Sequence, residues 1–462
     1  MNRKTFSIGG IHPADSKFAA DRPIEVLPLP DKVYVSMSQC LGAPSKPIVA
    51  VGNKVLAGQV LAEPGGFIGA FVHSPVSGTV KAIGPGKDLA GNRITQIEID
   101  VEGDEWAPGI DLSPELVTEL PDDRQVILDK IKAAGVVGLG GATFPTHVKL
   151  NPAPPAKAEA LLINGSECEP FLTSDYRLML ERPSEIVVGA ALMQKALGGP
   201  VCYICIEDNK PKAIESMQKA IDSLPYKDIL VQPLKKKYPQ GGEKQLIDAV
   251  MHRQVKSGAL PISEGAVVQN ATTSFAVYEA VQKNKPLVSN IMTITGNCLP
   301  VESQHNCLFR IGVPLSFIAE WAGGVPEKAA KIISGGPMMG KAIANLDAAT
   351  VKGSSSLLYL SEEVTRRRPE QQCIRCGRCS DACPMGLEPF LLNKLYLAGG
   401  REEELEKNAA QDCIECGCCL YSCPAGIPLL DNVRQAKVQV MGIIRARAAA
   451  AKAAAEAAKN KN

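Results

Sequence analysis

A cysteine pattern written twice near the C-terminal end constrains this chain more than any other feature. The first copy reads Cys373-Ile-Arg-Cys376-Gly-Arg-Cys379-Ser-Asp-Ala-Cys383-Pro384, and the second reads Cys413-Ile-Glu-Cys416-Gly-Cys418-Cys419-Leu-Tyr-Ser-Cys423-Pro424. Each is C-x-x-C-x-x-C-x-x-x-C-P. A cubane cluster needs four converging thiolates, and three thiols at i, i+3 and i+6 on a tight loop supply three of its corners. Zinc sites usually join one C-x-x-C to another and rarely carry the trailing C-P, and a disulfide framework belongs to an oxidising compartment. Two complete copies make zinc and disulfides the weaker readings. Cys418, the extra thiol beside Cys419, is read as a non-ligand.

The run resembles that of bacterial two-cluster ferredoxins. That resemblance implies crossed ligation, with Cys373, Cys376, Cys379 and Cys423 holding one [4Fe-4S] cluster and Cys413, Cys416, Cys419 and Cys383 the other. Two clusters so placed form a wire for single electrons. Between the motifs, Glu388 to Leu397 and Arg401 to Ala410 read as helices separated by Gly399-Gly400. The spacer is longer than in the compact ferredoxins, so the module is expected to be α-helical.

With 462 residues the chain exceeds the roughly 250–300 over which one core keeps growing, so several domains are expected. Its 50 Lys and Arg against 49 Asp and Glu give no electrostatic case for nucleic acid. No run of 18 or more apolar residues occurs, and Met1-Asn-Arg-Lys-Thr lacks the apolar centre of a signal peptide. A soluble or peripheral protein of a reducing, cytosolic compartment is expected.

Residues 1–30 form a proline-rich N-terminal extension in which His12, of Gly9-Gly10-Ile11-His12-Pro13, reads as a packed loop residue. Residues 31–108 alternate short strands with glycine turns, and Val49 to Ala62 and His73 to Ile83 are quasi-repeats of one strand–turn–strand unit. They resemble the halves of a biotinyl/lipoyl-like barrel-sandwich domain. The hairpin Gly65 to Phe71 has no lysine to carry a prosthetic group, so packing or docking is its expected role.

Over 120–285 the pattern becomes strand, helix, strand, helix, strand, the signature of a parallel sheet covered on both faces. It opens on Gly138-Leu-Gly140-Gly141-Ala-Thr-Phe144-Pro-Thr-His147-Val-Lys149, where glycines let backbone N–H groups approach a phosphate or flat ring. Strand Ala160 to Ile163 runs into Asn164-Gly-Ser166-Glu167-Cys-Glu169-Pro170. Ser184 is expected to cap a helix that Gly198-Gly199 closes. Cys202 and Cys205, on a strand, point to opposite faces and are read as structural. Tyr238-Pro-Gln-Gly241-Gly242-Glu243 precedes a helix at Gln245 to Met251, a plausible anion site. Val268 to Thr273 opens another helix. Residues 286–345 read as a small β-grasp-like unit in which Cys298 and Cys307 are core thiols rather than metal ligands with His305, and Gly335-Gly-Pro-Met-Met-Gly340 has no evident function. The ferredoxin-type module spans 362–432, and 433–462 is an Ala/Lys-rich helical tail, able to touch a membrane or partner but equally read as solvated.

The glycine loop, Asn164-x-x-Glu-x-Glu-Pro and Tyr238-x-x-Gly-Gly-Glu together resemble the NADH- and FMN-binding flavoprotein subunit of respiratory complex I. With the barrel-sandwich, Gly9 to Pro13 and the two cluster motifs, nearly the whole chain resembles the C-subunit family of Rnf complexes, the ion-pumping ferredoxin:NAD⁺ oxidoreductases of bacterial membranes. The implied architecture is multidomain α/β, with a barrel-sandwich, a Rossmann-like FMN/NADH domain, an SLBB-like β-grasp domain and a helical two-cluster domain. By this resemblance Gly138, Gly140, Gly141 and Lys149 line the FMN pocket, and Phe144 stacks on a ring of the bound dinucleotide. Asn164, Ser166 and Glu167 contact the flavin's polar edge or ribityl chain. Tyr238, Gly241, Gly242 and Glu243 close the dinucleotide site, and Asn270 and Thr273 assist FMN. Ser166 stands where that family has an aspartate. The complex I subunit ends in a single-cluster domain, so its electron exit cannot be copied here.

NAD(H) moves electrons in pairs and iron–sulfur clusters move them singly, so a flavin belongs between them. The expected partners are the integral membrane subunits and the ferredoxin-like B subunit of an Rnf complex, and ferredoxin indirectly, at the cytoplasmic side of the bacterial inner membrane. No acid–base triad is expected. Two other readings fit parts of the chain: a flavin and iron–sulfur cobalamin reductase of a propanediol-utilisation microcompartment, and a non-catalytic electron-transfer scaffold.

Overall fold

The computed structural model describes residues 3–459, with side chains of the last helix described to residue 454. Near the N-terminus two small sheets face each other. One is ordered Lys32–Ser36, Arg93–Gly103, Ser77–Lys87, Lys54–Val55, and the other Lys46–Pro47, Val60–Glu63, Val72–His73. Alternation directs Val33, Val35, Val80, Ile97 and Ile99 inward, all buried, as a half-buried strand requires. This is the expected sandwich, built around its two quasi-repeats.

The second body is a four-stranded, wholly parallel sheet ordered Ile229–Leu234, Val201–Glu207, Ala160–Asn164, Ala266–Asn270. The chain steps outward twice from the strand Ala160–Asn164 and then returns to its other side. That reversal creates a topological switch point at the C-terminal strand ends, where open α/β sheets bind ligands. Cys202 and Cys205 are both buried but belong to different apolar clusters, one on each face of the sheet. Helices Pro183–Ala196 and Ala271–Gln282 cross closely at Gly189, whose Cβ would lie 1.8 Å from the Ser274 carbonyl oxygen. Ser184 is not a cap: the helix begins one residue earlier, at Pro183. Proline's fixed φ suits the first helical position, and its missing N–H needs no partner there.

A six-stranded sheet follows, ordered Ile24–Val26, His305–Arg310, Ser289–Thr295, Ser356–Ser361, Ala329–Ser334, Lys341–Ala342, with helix Leu315–Trp321. It recruits one strand from the N-terminal extension and another from beyond residue 345. Cys307 is fully buried, while His305 meets the Glu25 carboxylate at 2.9 Å and packs on Trp321.

The cysteine motifs sit on a helical unit. Pro389–Ala398 and Glu402–Lys407 fill the spacer, and Leu429–Lys459 forms one long helix. Leu392, Leu405, Val433, Ala436 and Val440 make its core. From Arg445 to residue 454 that helix is exposed, and Arg447 pairs with Glu406 at 2.8 Å. The tail residues 460–462 lie outside the described residues.

The N-terminal extension is a strap joining these bodies. The Lys4 amide donates to Pro233 O, Ile11 and Tyr238 exchange backbone hydrogen bonds, and the Gly10 amide donates to Ala382 O. His12 is exposed rather than packed, because Ile11 and Pro13 take the buried positions on either side. Gly9 adopts φ +61° with its Cα against the Cys383 carbonyl, where a Cβ would lie 2.3 Å from the oxygen; only glycine fits both demands.

Glu169 staples the parallel sheet to the six-stranded one. Its carboxylate accepts the amides of Met338 and Met339 at 3.1 and 2.9 Å, which gives the Gly335–Gly340 turn its structural role. Burial pushes the Glu169 carboxyl up to about 7 from an ordinary 4.5, against the opposing pull of those amides. Between these two values the folded state holds a proton that the unfolded chain has released, so this residue's contribution to stability declines as pH rises from 4.5 to 7. The decline is at most roughly 3 kcal/mol. Comparing urea midpoints at pH 5 and pH 7, Glu169→Gln should show a smaller loss than the parent; an unchanged loss would exclude this titration.

Candidate functional site

Asn164 and Asn270 end adjacent strands in register, at the switch point, and the glycine loop closes over them. The Gly138 amide donates to Phe144 O, turning the loop back on itself. The Leu139 amide donates to Thr273 Oγ1 at 2.9 Å, pinning the loop to the helix that follows Asn270. A Cβ on Gly140 would sit 2.7 Å from Asn270 Nδ2, whereas one on Gly141 would meet nothing within 4 Å. Glycine at 140 therefore serves the loop's close packing. At 141 it leaves open space in front of exposed backbone, the cradle a flat ring or phosphate requires.

The Tyr238–Glu243 turn meets this loop from the opposite side. Asn164 Nδ2 donates to Gly241 O at 2.9 Å, Lys149 pairs with Glu243, and Gly242 is the N-cap of helix Glu243–Met251. Gly138, Gly140, Gly141, Lys149, Asn164, Gly241, Gly242, Glu243 and Asn270 are thus tied together at the sheet's C-terminal edge, with half-buried Phe144 at the loop's end. The other expected residues lie elsewhere. Thr273 is fully buried beneath the loop it pins. Asn270 spends its side chain locally: Oδ1 accepts the Thr272 and Thr273 amides, and Nδ2 donates to Asp175 at 2.7 Å.

Ser166 and Glu167 occupy a loop held from beneath by two lysines, Lys210 buried and Lys17 half-buried. Lys17 Nζ donates to the carbonyls of Glu167, Glu169 and Leu172 at 2.6–2.9 Å, and Lys210 Nζ to that of Ser166 at 2.6 Å. Glu167 is held at φ +44°, a conformation a non-glycine residue adopts only when its surroundings impose it. Burial pushes its carboxyl up and the Lys17 ammonium down. Ser166 Oγ is buried without a hydrogen-bond partner, a condition that costs about 1–3 kcal/mol unless a ligand or water relieves it, while Glu167 Oε2 accepts no hydrogen bond but lies 4.0 Å from the Lys17 ammonium. The unpartnered Ser166 hydroxyl follows directly on the strand that ends at Asn164, at the same edge of the sheet as the open glycine loop, and suits a ligand with hydrogen-bonding edges, as FMN has.

Tyr238 faces away from the glycine loop. Its ring is 2 % exposed and its hydroxyl donates to the Cys416 carbonyl oxygen at 2.9 Å, inside a cluster with Ile11, Ala382, Cys418 and Met338. Gln245 reaches the same unit, donating to Pro384 O at 3.1 Å. The sequence marked Tyr238 for the dinucleotide side. Its buried position follows from the backbone pairing with Ile11, which turns the ring toward the cysteine loop. Glu169, Gln245 and the Gly9-Gly10 strap were not recognisable as junction residues, since their partners lie in distant segments.

The two cysteine loops are folded alike. Arg375 and Glu415 take φ +55° and +58°, and Gly377 and Gly417 +76° and +78°. Cys383, Cys413, Cys416 and Cys419 line one enclosed cavity together with Cys418, the crossed set with Cys383 contributed by the first motif. Amides of Leu387 and Glu415 point at the sulfurs of Cys383 and Cys413, each at 3.4 Å. Cys379, Cys419 and Cys423 share an apolar cluster with Ala425, Ile427 and Leu429, while Cys373 and Cys376 are exposed. Among the described residues no His/Cys/Asp/Glu group converges on a single-ion position; thiolates around a cubane sit outside its corners, farther apart than the ligands of one ion. Burial pushes the Cys413 thiol up to about 11.

Comparison with known proteins agrees with this layout. The RnfC barrel sandwich hybrid domain matches residues 4–104, the Nuo51 FMN-binding domain 131–279, and the 4Fe-4S dicluster domain 366–424. The C subunit of the proton-translocating ferredoxin:NAD(+) oxidoreductase complex of Clostridium ljungdahlii is 44% identical, over 84% of this chain and 83% of that protein. Its counterpart in the Na(+)-translocating complex of Acetobacterium woodii is 40% identical over 83% and 85%. The C subunit of the ion-translocating oxidoreductase complex of Rhodobacter capsulatus is 38% identical over 86% and 76%. With a flavin-binding sheet, a barrel sandwich and a dicluster unit in one chain, and identity at this level over most of its length, the chain belongs to the C-subunit family of Rnf-type ion-translocating ferredoxin:NAD⁺ oxidoreductase complexes.

Proposed function

We propose that this chain is the NAD(H)-handling electron-transfer subunit of such a complex, attached to the cytoplasmic face of a bacterial inner membrane through its partners. Those partners are the integral membrane subunits and the ferredoxin-like B subunit. Among the described residues no helix is long and apolar enough to cross a membrane, so attachment by protein contacts suits the chain. The six-stranded sheet with helix Leu315–Trp321 is read as the SLBB-like β-grasp unit.

The cofactors divide the chemistry: FMN exchanges hydride with NAD(H) and electrons singly with the two [4Fe-4S] clusters. The protein's part is positioning. Gly138, Gly140 and Gly141 bring backbone N–H groups to the flavin, and Ser166 Oγ, which has no hydrogen-bond partner among the described residues, supplies a further hydrogen-bonding atom, with the Glu167 carboxylate, paired to Lys17, behind it. Asn164 and Asn270 hold the loops at the strand ends, and Asn164 links the glycine cradle to the Gly241–Gly242 turn. Lys149 and Glu243 close the side where Phe144 stacks on the dinucleotide. Thr273 and Tyr238 act at one remove, Thr273 by fixing the glycine loop and Tyr238 by docking the cluster unit.

The observation that carries the reading is the Tyr238 hydroxyl on the Cys416 carbonyl at 2.9 Å, three residues from Gly241 in the turn beside the flavin cradle. It favours Cys383, Cys413, Cys416 and Cys419 as the residues that would hold the cluster next to a bound flavin, with the cluster that Cys373, Cys376, Cys379 and Cys423 would hold lying beyond it. The experiment is an anaerobic titration of the fully loaded protein with NADH, reading flavin and cluster absorbance separately. Bleaching of both is expected, and bleaching of neither ends the proposal.

Two variants sharpen it. Gly141→Val places its side chain in open space, so the fold should persist while bound flavin falls by roughly tenfold or more; full flavin content in a folded variant would remove the loop from the site. Tyr238→Phe removes one buried hydrogen bond, worth roughly 1 kcal/mol. In stopped flow, NADH should bleach its flavin at the parental rate, with cluster reduction slowed by roughly three- to tenfold. An unaltered cluster phase would show that this contact does not set the electron path.

A further inference from the structure

The matching backbone of the two cysteine loops allows their side chains to be compared position by position. In the second loop every outward position is covered. Ile414 packs into the cluster with Tyr238 and Ile11, and Cys418 is fully buried there. Glu415 is clamped by Arg434 at 3.1 Å and Lys437 at 2.9 Å from the C-terminal helix. In the first loop the equivalents are Ile374, Arg375 and Arg378, and nothing among the described residues covers them. Ile374 is 69 % exposed, and both arginines are exposed.

The charges around this first loop are lopsided. Arg366 and Arg367 pair with Glu362 and Asp431. Among the described residues, the guanidinium groups of Arg368, Arg375 and Arg378 have no ion pair or hydrogen bond. Arg368 and Arg378 border an open cleft with Tyr421, whose ring is 56 % exposed. Cys373 and Cys376 are the exposed members of the eight-thiol set. The surface therefore has an apolar centre in Ile374 and Tyr421, cluster ligands at its face, and a rim in which three unpaired guanidinium groups outnumber the carboxylates of Asp381, in the same cleft, and exposed Glu370.

We propose that the first cysteine loop is the docking surface for an acidic iron–sulfur electron carrier, whose carboxylates pair with Arg368, Arg375 and Arg378 and whose apolar contact covers Ile374 and Tyr421. The inference rests on the function proposed above. The second loop shows what completes such a surface, an apolar lid and a charge partner of opposite sign. For the first loop that partner must be anionic. Guanidinium groups suit carboxylates because they offer paired, fixed donors, and a charged rim speeds encounter while letting the complex part quickly, as a transient redox contact requires. One electron crosses per encounter: the carrier's cluster is oxidised and the Cys373/Cys376/Cys379/Cys423 cluster reduced, with no bond or proton moved.

The test uses a reduced, acidic [4Fe-4S] ferredoxin as probe, freed of excess dithionite and mixed in stopped flow with the oxidised, fully loaded protein. Cluster bleaching in the parent should slow as salt is added, a readout that needs no variant. R368E/R375E/R378E should slow it by roughly tenfold or more at low ionic strength, with iron content and NADH-driven flavin bleaching unchanged. The three arginine-to-glutamine changes should give an intermediate rate, which separates lost charge from lost fold. Rates independent of salt and equal in parent and variants overturn the proposal. So does a charge-reversal variant that keeps the ferredoxin rate but no longer binds phosphatidylglycerol vesicles, which assigns the patch to a membrane surface. Failure of NADH to bleach the parent's flavin would count against the catalytic reading and not against this surface, because ferredoxin reduces the clusters without it.

Discussion

The arrangement depends on one buried contact, the Tyr238 hydroxyl on the carbonyl of Cys416. Electron transfer falls steeply with distance, so a flavin and a cluster on separate units work together only if something fixes their separation. Here the fixing group lies in the turn that also borders the glycine cradle, and its acceptor is the backbone of a cluster ligand. The hydrogen bond is shielded by Ile11, Ala382, Cys418 and Met338, and in such surroundings breaking it would strand a buried donor and acceptor. Gln245 on Pro384 and the Gly9–Gly10 strap repeat the constraint from two further directions. Three weak links that share one geometry hold a position better than one strong link.

Strain and buried charge concentrate in the loop that follows strand Ala160–Asn164. Glu167 sits at positive φ, Ser166 Oγ has no hydrogen-bond partner, and buried Lys210 and half-buried Lys17 lie beneath them, Lys17 paired with the Glu167 carboxylate. Each feature disfavours the folded state taken alone. The lysines offset the cost by donating to the loop's carbonyls, fixing the backbone in a shape it would not hold by itself. A loop so built is ready for its ligand before the ligand arrives, which is the physical use of stored strain at a binding site. Glu169 adds a second function to the same stretch, since its carboxylate reaches out to Met338 and Met339 and ties the flavin sheet to its neighbour.

The cluster motifs, the parallel sheet and the barrel sandwich were legible because each is written in local spacing: i, i+3, i+6 for the thiols, alternation for the strands, glycine pairs at helix ends. Ser184 was misplaced as a cap because Pro183 could already begin the helix, a competition between two adequate start signals. His12 was expected to pack, and the alternation of Ile11 and Pro13 turned it outward. Tyr238 and Thr273 were grouped with the flavin and dinucleotide site by resemblance to the complex I flavoprotein subunit. The structure turns Tyr238 onto the cysteine loop and buries Thr273 under the glycine loop, and neither direction can be read from neighbours along the chain.

The sequence by itself determined the eight thiols and their pairing into two like loops, the glycine cradle, and the kinds of domain that carry them. Those features need only residue type and spacing, because cluster ligation and backbone approach are local demands. The tertiary structure alone decided which loop faces the flavin sheet and which faces outward. The two motifs are nearly equal in spacing and in backbone shape. What distinguishes them is their surroundings: Tyr238, Ile11 and the C-terminal helix cover Ile414, Glu415 and Cys418, and among the described residues no segment covers Ile374, Arg375 and Arg378. Burial is a property of contacts between distant segments, so it cannot be inferred from either motif alone.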